Sequence, residues 1–428
     1  MCNLWKTCKA HGYMGKSLLI CNMIISLPTN VNKIIDTLYN AGYEAYAVGG
    51  CIRDSILSKN PYDWDITTNA RPEEVKKLFP KTLDTGIKHG TVSILFKENN
   101  QFKSYEVTTY RCDGLYSDGR HPDDVTFVNN LHEDLARRDF TINAIAYNEK
   151  AGIVDDFSGI SDLENKIVRA VGDPLSRFKE DALRMMRAIR FSAQLSFEID
   201  EKTYDAIITL AENLSHVSKE RIAVELIKVL LSDNPEKVYL FFDTKLSRYI
   251  TEDFDKVNKE KLFRCDKKHI ALFSLLFSNE DIAKKILLDL KLDMDTINKV
   301  SKLIEEKSKV QQSNFKINEY FLDQKVLKSL IFNLGFELSK EFLRVLAFKY
   351  NVNFNDIIDK LNSYEKNATP IFLKDLAVNG DWFKEQGYAG PDIGYAMNFV
   401  LSKIWENEKL NNKEDIKLIL NEMKVSKE

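Results

Sequence analysis

The segment VGGCIRDSILSKNPYDWDITT carries the residues best suited to chemistry. Asp63 and Asp65 are separated only by Trp64 and follow shortly after the paired glycines Gly49 and Gly50. If the stretch around Trp64 is a strand, both carboxylates leave the same face, because side chains two apart do so. Two acidic groups held side by side repel unless a cation sits between them. In-line phosphoryl or nucleotidyl transfer uses that arrangement: one divalent ion activates the attacking hydroxyl and a second steadies a triphosphate. Such ions prefer oxygen ligands, and Mg²⁺ is the default. A lone D-x-D is a weak signal; a strand, a Gly-Gly turn and a helix followed closely by D-x-D is much stronger. Glu106 in SYEVTTY is either a third ligand from a neighbouring strand or an ordinary strand-end charge.

The elements that must hold these groups can be read on either side. VNKIIDTLYNAG has helical apolar spacing and stops at Gly42, EAYAVGG reads as a strand entering a glycine turn, and a helix then begins with Arg53 and Asp54 in its first turn. Glycines let the backbone approach an anion, and a helix N-terminus offers N–H groups and positive dipole to phosphate. Gly50 and Arg53 are therefore candidate phosphate contacts. PEEVKKLF reads as a short helix opened by Pro72, while TVSILFK and KSYEVTTY read as strands. From GDPLSRFKEDALRMMRAIRFSAQL onward the pattern is almost entirely helical.

That pattern predicts an α+β fold, an N-terminal head of mixed sheet and helices followed by a long helical part.

One helix is expected to start with Asp173 as N-cap and Pro174 at its first position. At about 100° per residue, Phe178, Ala182, Met186, Ile189 and Ala193 fall in a stripe about 80° wide, the buried face. Asp181, Arg184, Arg187 and Arg190 step by three across the opposite half. Between Lys166 and Arg190 there are seven Lys/Arg against three Asp/Glu, a basic segment in a chain of net charge −3. A solvated charged face is the ordinary reading of such a pattern, but three arginines backed by one aspartate make a poor surface ion-pair set. An ionised Asp only accepts hydrogen bonds and a guanidinium only donates. Asp181 can therefore accept from the amino group of cytosine or adenine while Arg184 donates to the adjacent ring nitrogen. Uracil and guanine present the reverse pattern and leave a buried charge unpaired, at a cost of about 1–3 kcal/mol. Arg187 and Arg190 are better placed for triphosphate or the RNA end.

The whole resembles the polymerase-β nucleotidyltransferase superfamily, in its class II transfer-RNA branch of CCA-adding enzymes and bacterial poly(A) polymerases. DLARRDFTINAIAY (Asp134–Tyr147), RFKEDALRMMRAIRF (Arg177–Phe191) and SKERIAVELIKVLLS (Ser218–Ser232) resemble that branch's head–neck, nucleotide-recognition and neck-helix motifs. The stretch LAVNGDWFKEQGYAGPDIGYAMNFVLSKIWENEKLNN resembles the closing segment of the bacterial CCA enzymes. The resemblance of these motifs implies that the long helical part divides into an all-helical neck, body and tail. On that resemblance the expected divisions are an extension over 1–22, the head over 23–160, a nucleotide-selecting neck over 161–232, a body over 233–310 and a tail over 311–428. The resemblance implies template-independent addition of C, C and A to the 3′ end of tRNA from CTP and ATP, with the acceptor arm as partner. It implies a nucleotide contact at Arg138 and ties the Tyr110–Phe127 loop to the switch from C to A; enzymes restricted to CC lack this loop. An A-adding-only enzyme stays open, the tail disfavours a poly(A) polymerase, and the intact carboxylates oppose a silent RNA-binding scaffold.

Other features carry less. The 428 residues call for more than one domain, and 44% hydrophobic with 29% charged residues is the balance of a soluble globular chain. The six cysteines show no C-x-x-C spacing, which opposes structural zinc and a disulfide framework. GKSLLICNMIISL imitates a secretory apolar run without a convincing cleavage site, so it is read as an extension before a start-like Met23. No other stretch approaches a membrane span, no obligate protein partner is evident, and a cytoplasmic enzyme is expected. His132 is read as a loop or cap residue, the lysine-rich runs as solvated helix faces, and Trp382 and Tyr388 as core.

Overall fold

The computed structural model describes residues 24–98, 100–113, 125–313 and 315–425. The 1–22 extension and most of the Tyr110–Phe127 loop lie outside them. The chain divides into two compact units, one ending at Glu252 and one running from Asp253.

The first unit is built on a seven-stranded sheet. Helix α1 (Thr29–Asn40) buries Val31, Ile34, Ile35 and Leu38, the i, i+3, i+4, i+7 stripe of an amphipathic helix. Each of these side chains contributes about 1.5–3 kcal/mol. Strand β1 (Ala45–Val48) leads through Gly49 into α2 (Gly50–Ile56). Then come β2 (Asp65–Thr68), α3 (Pro72–Leu78) with Pro72 at its start, β3 (Thr82–Gly86), β4 (Thr91–Glu98) and β5 (Gln101–Thr109). A small hairpin of β6 (Arg111–Asp113) and β7 (Val125–Phe127) precedes α4 (Leu131–Ala136). Strands β8 (Ala146–Asn148) and β9 (Gly152–Val154) complete the sheet.

The strand order is β3-β4-β5-β2-β1-β8-β9. Within this sheet only β2 and β5 run parallel, in a register that sets Asp65 beside Glu106. Alternation then decides the two faces. Ile66 and Val107 point into the core, whereas Asp65, Thr67, Glu106 and Thr108 share the other face. Along that face Thr91 Oγ1 and Thr108 Oγ1 lie 3.0 Å apart, and Thr85 Oγ1 and Ser93 Oγ 2.8 Å.

The neck follows within the same unit. After α5 (Gly159–Asn165) and the two-residue strand β10 (Ile167–Val168) come α6 (Pro174–Glu180) and α7 (Leu183–Leu195). Asp173 caps α6 by accepting the Ser176 amide at 3.0 Å, as its sequence position implies. The single helix expected from Asp173 onward is interrupted. Asp181 adopts an extended conformation (φ −140°, ψ 103°), and its Oδ1 accepts the Leu183 N–H at 3.0 Å. A short acidic side chain that bonds nearby backbone offers the chain an alternative to helix, and here it ends one helix and starts the next. The two later neck helices are α8 (Glu201–Leu210) and α9 (Lys219–Leu230).

The second unit is helical in its described residues, with its longest helix over Met294–Gln312. Trp382 is buried in an apolar cluster with Phe383, Val400 and Ile404, and Tyr388 packs against it, so both serve the core. Lys328 is fully buried and donates to the Trp405 carbonyl at 3.0 Å and to Glu408 at 2.7 Å, fastening the Gln324–Leu334 helix to the end of the Pro391–Glu406 helix. No described helix is long and apolar enough to cross a membrane.

Candidate active site

Asp65 opens β2 and Asp63 lies two residues ahead of it. Trp64 is buried while both aspartates are exposed, so the out-in-out alternation holds although the regular strand begins only at Asp65. Glu106 is exposed beside them on β5. The Asp65 carboxyl is raised above the usual carboxylate range, mainly by partial burial, with Asp63 adding to the rise and Arg138 opposing it. Glu106 is raised by partial burial, then by Asp65 and Asp63. Asp63 thus acts on Asp65, and both act on Glu106, across one face, and a cation there would offset that repulsion. Among the described residues no three acidic, His or Cys side chains form a closed metal cage. An open, oxygen-only set suits an ion held by one or two carboxylates and completed by water and phosphate.

The glycine turn abuts this face. Gly49 has φ +83°, and a Cβ there would lie 3.0 Å from Arg138 Nη1, so only glycine fits without strain. A Cβ on Gly50 would meet nothing closer than Arg53 at 3.6 Å, an ordinary contact.

Arg138 is held from below. Asp134, fully buried on α4, accepts Arg137 at 3.0 and 2.7 Å, Arg138 at 3.3 Å and Thr67 at 3.1 Å. Burial pushes the Asp134 carboxyl up, but Arg137 and Arg138 outweigh it and hold it below the usual range. This support went unnoticed in the sequence, although DLARR carries i, i+3 and i, i+4 pairing.

Arg53 is tied to the neck. Its Nη1 donates to Asn143 Oδ1 at 2.6 Å, and Asn143 Nδ2 donates to Asp139 Oδ1 at 3.1 Å. Asp139 Oδ2 accepts Arg187 through Nε at 2.8 Å and Nη2 at 2.6 Å. Burial would raise the Asp139 carboxyl, but Arg187 and Asn143 hold it well below the carboxylate range. Arg53, Arg187 and Arg190 surround the buried Phe191 ring, with guanidinium carbons 5.1, 5.4 and 4.2 Å from its centroid. Arg190 Nε faces Glu225 Oε2 at 3.1 Å, and burial together with Arg187 pushes Arg190 down to about 10.

The base-selecting candidates are likewise held rather than displayed. Arg184 and Arg190 are buried, so α7 does not present a solvated arginine face. Asp181 Oδ2 accepts Arg221 Nη2 from α9 at 2.9 Å. Arg184 donates to Glu180 at 2.6 Å, to the Arg177 carbonyl at 3.3 Å and to the Arg137 carbonyl at 3.0 Å. Asp181 and Arg184 therefore do not pair with each other. The sequence reading overlooked Asp139, Asn143, Glu180, Arg221 and Glu225; only the i, i+4 spacing of Arg221 and Glu225 hinted at a shared face.

Residues 45–169 match the family described as Poly A polymerase head domain, and residues 196–257 the one described as Probable RNA and SrmB-binding site of polymerase A. The CCA-adding enzyme of Streptococcus thermophilus is 36% identical over 409 residues, 93% of this chain and 98% of the relative. That of Lactobacillus helveticus is 52% identical over 220 residues, 51% of this chain and 54% of its own length. The crystal structure of the Bacillus stearothermophilus CCA-adding enzyme in complex with CTP superposes with a TM-score of 0.76 at 30% identity, covering 92% of this chain and 97% of that one. With the carboxylate face, the glycine turn and near full-length similarity in place, the chain belongs to the CCA-adding enzyme family of tRNA nucleotidyltransferases.

Proposed function

We propose that this chain adds C, C and A in turn to the 3′ end of tRNA, taking CTP and ATP at one site in which Asp63 and Asp65 serve turnover and Asp181 and Arg184 choose the base. The terminal ribose 3′-hydroxyl attacks the α-phosphate; a new O–P bond forms, the bond to the β-phosphate oxygen breaks, and pyrophosphate leaves. Divalent ions, magnesium on this reading, would lower the pKa of that hydroxyl and offset charge on the triphosphate when held by Asp63 and Asp65. Glu106 would adjust the field at the same place.

The protein's own groups bind and orient. The N–H groups that open α2 and the Arg53 guanidinium face the phosphates. The protein itself leaves room for a side chain at Gly50, so the demand for glycine there falls to the substrate. Arg138, fixed by Asp134, contacts the nucleotide beside Asp65. Arg187 and Arg190 face triphosphate or the RNA end.

Base choice follows from donors and acceptors. Arg184 has five N–H donors, of which three are engaged. A carboxylate has about four acceptor sites, of which Leu183 and Arg221 take two at Asp181. The capacity left accepts from the amino group of cytosine or adenine and donates to its neighbouring ring nitrogen. Uracil and guanine offer a carbonyl to the aspartate and an N–H to the arginine. The body and tail, 233–310 and 311–428, would hold the acceptor arm, in a cytoplasmic setting.

The network Arg53–Asn143–Asp139–Arg187 supports this reading most, because it ties the phosphate turn to the helix carrying Arg184. The test supplies purified protein and Mg²⁺ with tRNA lacking CCA, tRNA ending in CC, and complete tRNA. Addition of CCA, of A and of nothing is expected; A without C would sink the reading, and long A tails would point to a polymerase.

A further inference from the structure

Arg221, Glu225 and Lys228 are spaced by four and three residues, which puts them on one face of α9. The first two each meet a partner on the nucleotide-selecting segment. Arg221 holds Asp181 at 2.9 Å and Glu225 faces Arg190 at 3.1 Å. Lys228 is the next position along that stripe and is exposed.

The neighbouring cations are each matched. Arg53 has Asp54 at 2.8 Å, Arg187 has Asp139 at 2.6 Å and Arg190 has Glu225. Lys228 has no hydrogen-bond or ion-pair partner among the described residues. A third cation beside Arg187 and Arg190 is unfavourable by Coulomb's law unless an anion joins them. Its ammonium is destabilised by partial burial, then by Arg190 and Arg187, with only Glu225 opposing. Position in the last turn of α9 favours a cation through the helix dipole, but such an effect is about 0.3–1 kcal/mol and calls for no place beside two arginines.

We infer that Lys228 is a further substrate-binding residue, and that its ligand is a phosphate group that enters the Arg53/Arg187/Arg190 cluster from outside the protein. The inference rests on the nucleotidyl-transfer reading above. Two sources carry that chemistry: the triphosphate of the incoming nucleotide and a phosphodiester at the 3′ end of the RNA.

The experiment compares Lys228→Met and Lys228→Arg with the unaltered full chain. KM for CTP and ATP is measured at saturating tRNA, and Kd for tRNA is measured without nucleotide over a salt series. If the triphosphate is the ligand, Lys228→Met raises KM for both nucleotides about tenfold and equally, because the phosphates are common to them. If RNA phosphate is the ligand, tRNA affinity falls and the slope of log K against log salt shrinks by about one. Lys228→Arg restores either quantity. Neither quantity moving, or a loss that Arg does not restore, overturns the inference. Activity of the unaltered chain on tRNA lacking CCA keeps this outcome separate from failure of the functional reading itself.

Discussion

The sheet face and the neck helix of the first unit treat charge in opposite ways. On the sheet, Asp63, Asp65 and Glu106 stand exposed; beyond partial burial, Asp63 raises the Asp65 carboxyl with Arg138 alone opposing, and Asp65 and Asp63 raise that of Glu106. On the neck, Asp181, Arg184, Arg187 and Arg190 each face an opposite charge within the protein, supplied by Arg221, Glu180, Asp139 and Glu225. On the proposed function, the carboxylates that cations would complete are left uncompensated. On the same reading, the base-selecting Asp181 and Arg184 are held still in advance, since an unfixed arginine would adapt to any base and discriminate none. Pre-paid orientation is what allows a side chain to act as a template.

The sharpest way to break this contrast is at the carboxylates. Asp63→Ala should lower single-turnover addition by a thousandfold or more, roughly the several kcal/mol that ions supply to such a transition state, with tRNA Kd unchanged. Loss of tRNA binding as well would assign Asp63 to structure. A smaller effect is expected where a neck charge loses its holder. Arg221→Ala frees one oxygen of Asp181 and should cut the preference for CTP over UTP about tenfold, with the rate of correct addition lowered less. Unchanged selectivity would mean that the Leu183 amide and helix packing suffice to hold Asp181.

The smallest effect concerns acid stability. The Asp139 and Asp134 carboxyls are held below their unfolded value. Their contribution is therefore complete above the unfolded aspartate pKa of about 4 and is lost as pH falls from there toward the depressed values. Thermal unfolding between pH 6 and 3 should show the melting temperature of the unaltered protein falling more steeply below pH 4 than that of Asp139→Asn. Parallel curves would remove the Asp139–Arg187 pair as a source of the slope.

The parts of this arrangement that were legible in the sequence are local ones. The glycine turn, the Asp63-x-Asp65 alternation and the cap at Asp173 depend on neighbours within a few residues, and spacing exposes them. The break at Asp181 was hidden because the apolar pattern runs on through Phe178, Ala182 and Met186, all of which are buried as an uninterrupted helix would place them. The holders were hidden for another reason. Asp181 meets Arg221 across 40 residues, Asp139 meets Arg187 across 48, and Arg53 meets Asn143 across 90. No periodicity spans such distances. The register that sets Glu106 beside Asp65 is likewise a product of strand pairing, invisible until β2 and β5 are joined.

The division between turnover on the sheet and choice on the neck is tested most directly by Asp181→Ala. Single-turnover incorporation of each of CTP, ATP, UTP and GTP onto tRNA lacking CCA would be measured with Mg²⁺ beside the unaltered protein. The variant is expected to keep metal-dependent addition while U and G enter at rates approaching that of C. Retention of full preference for C and then A by the variant would contradict it.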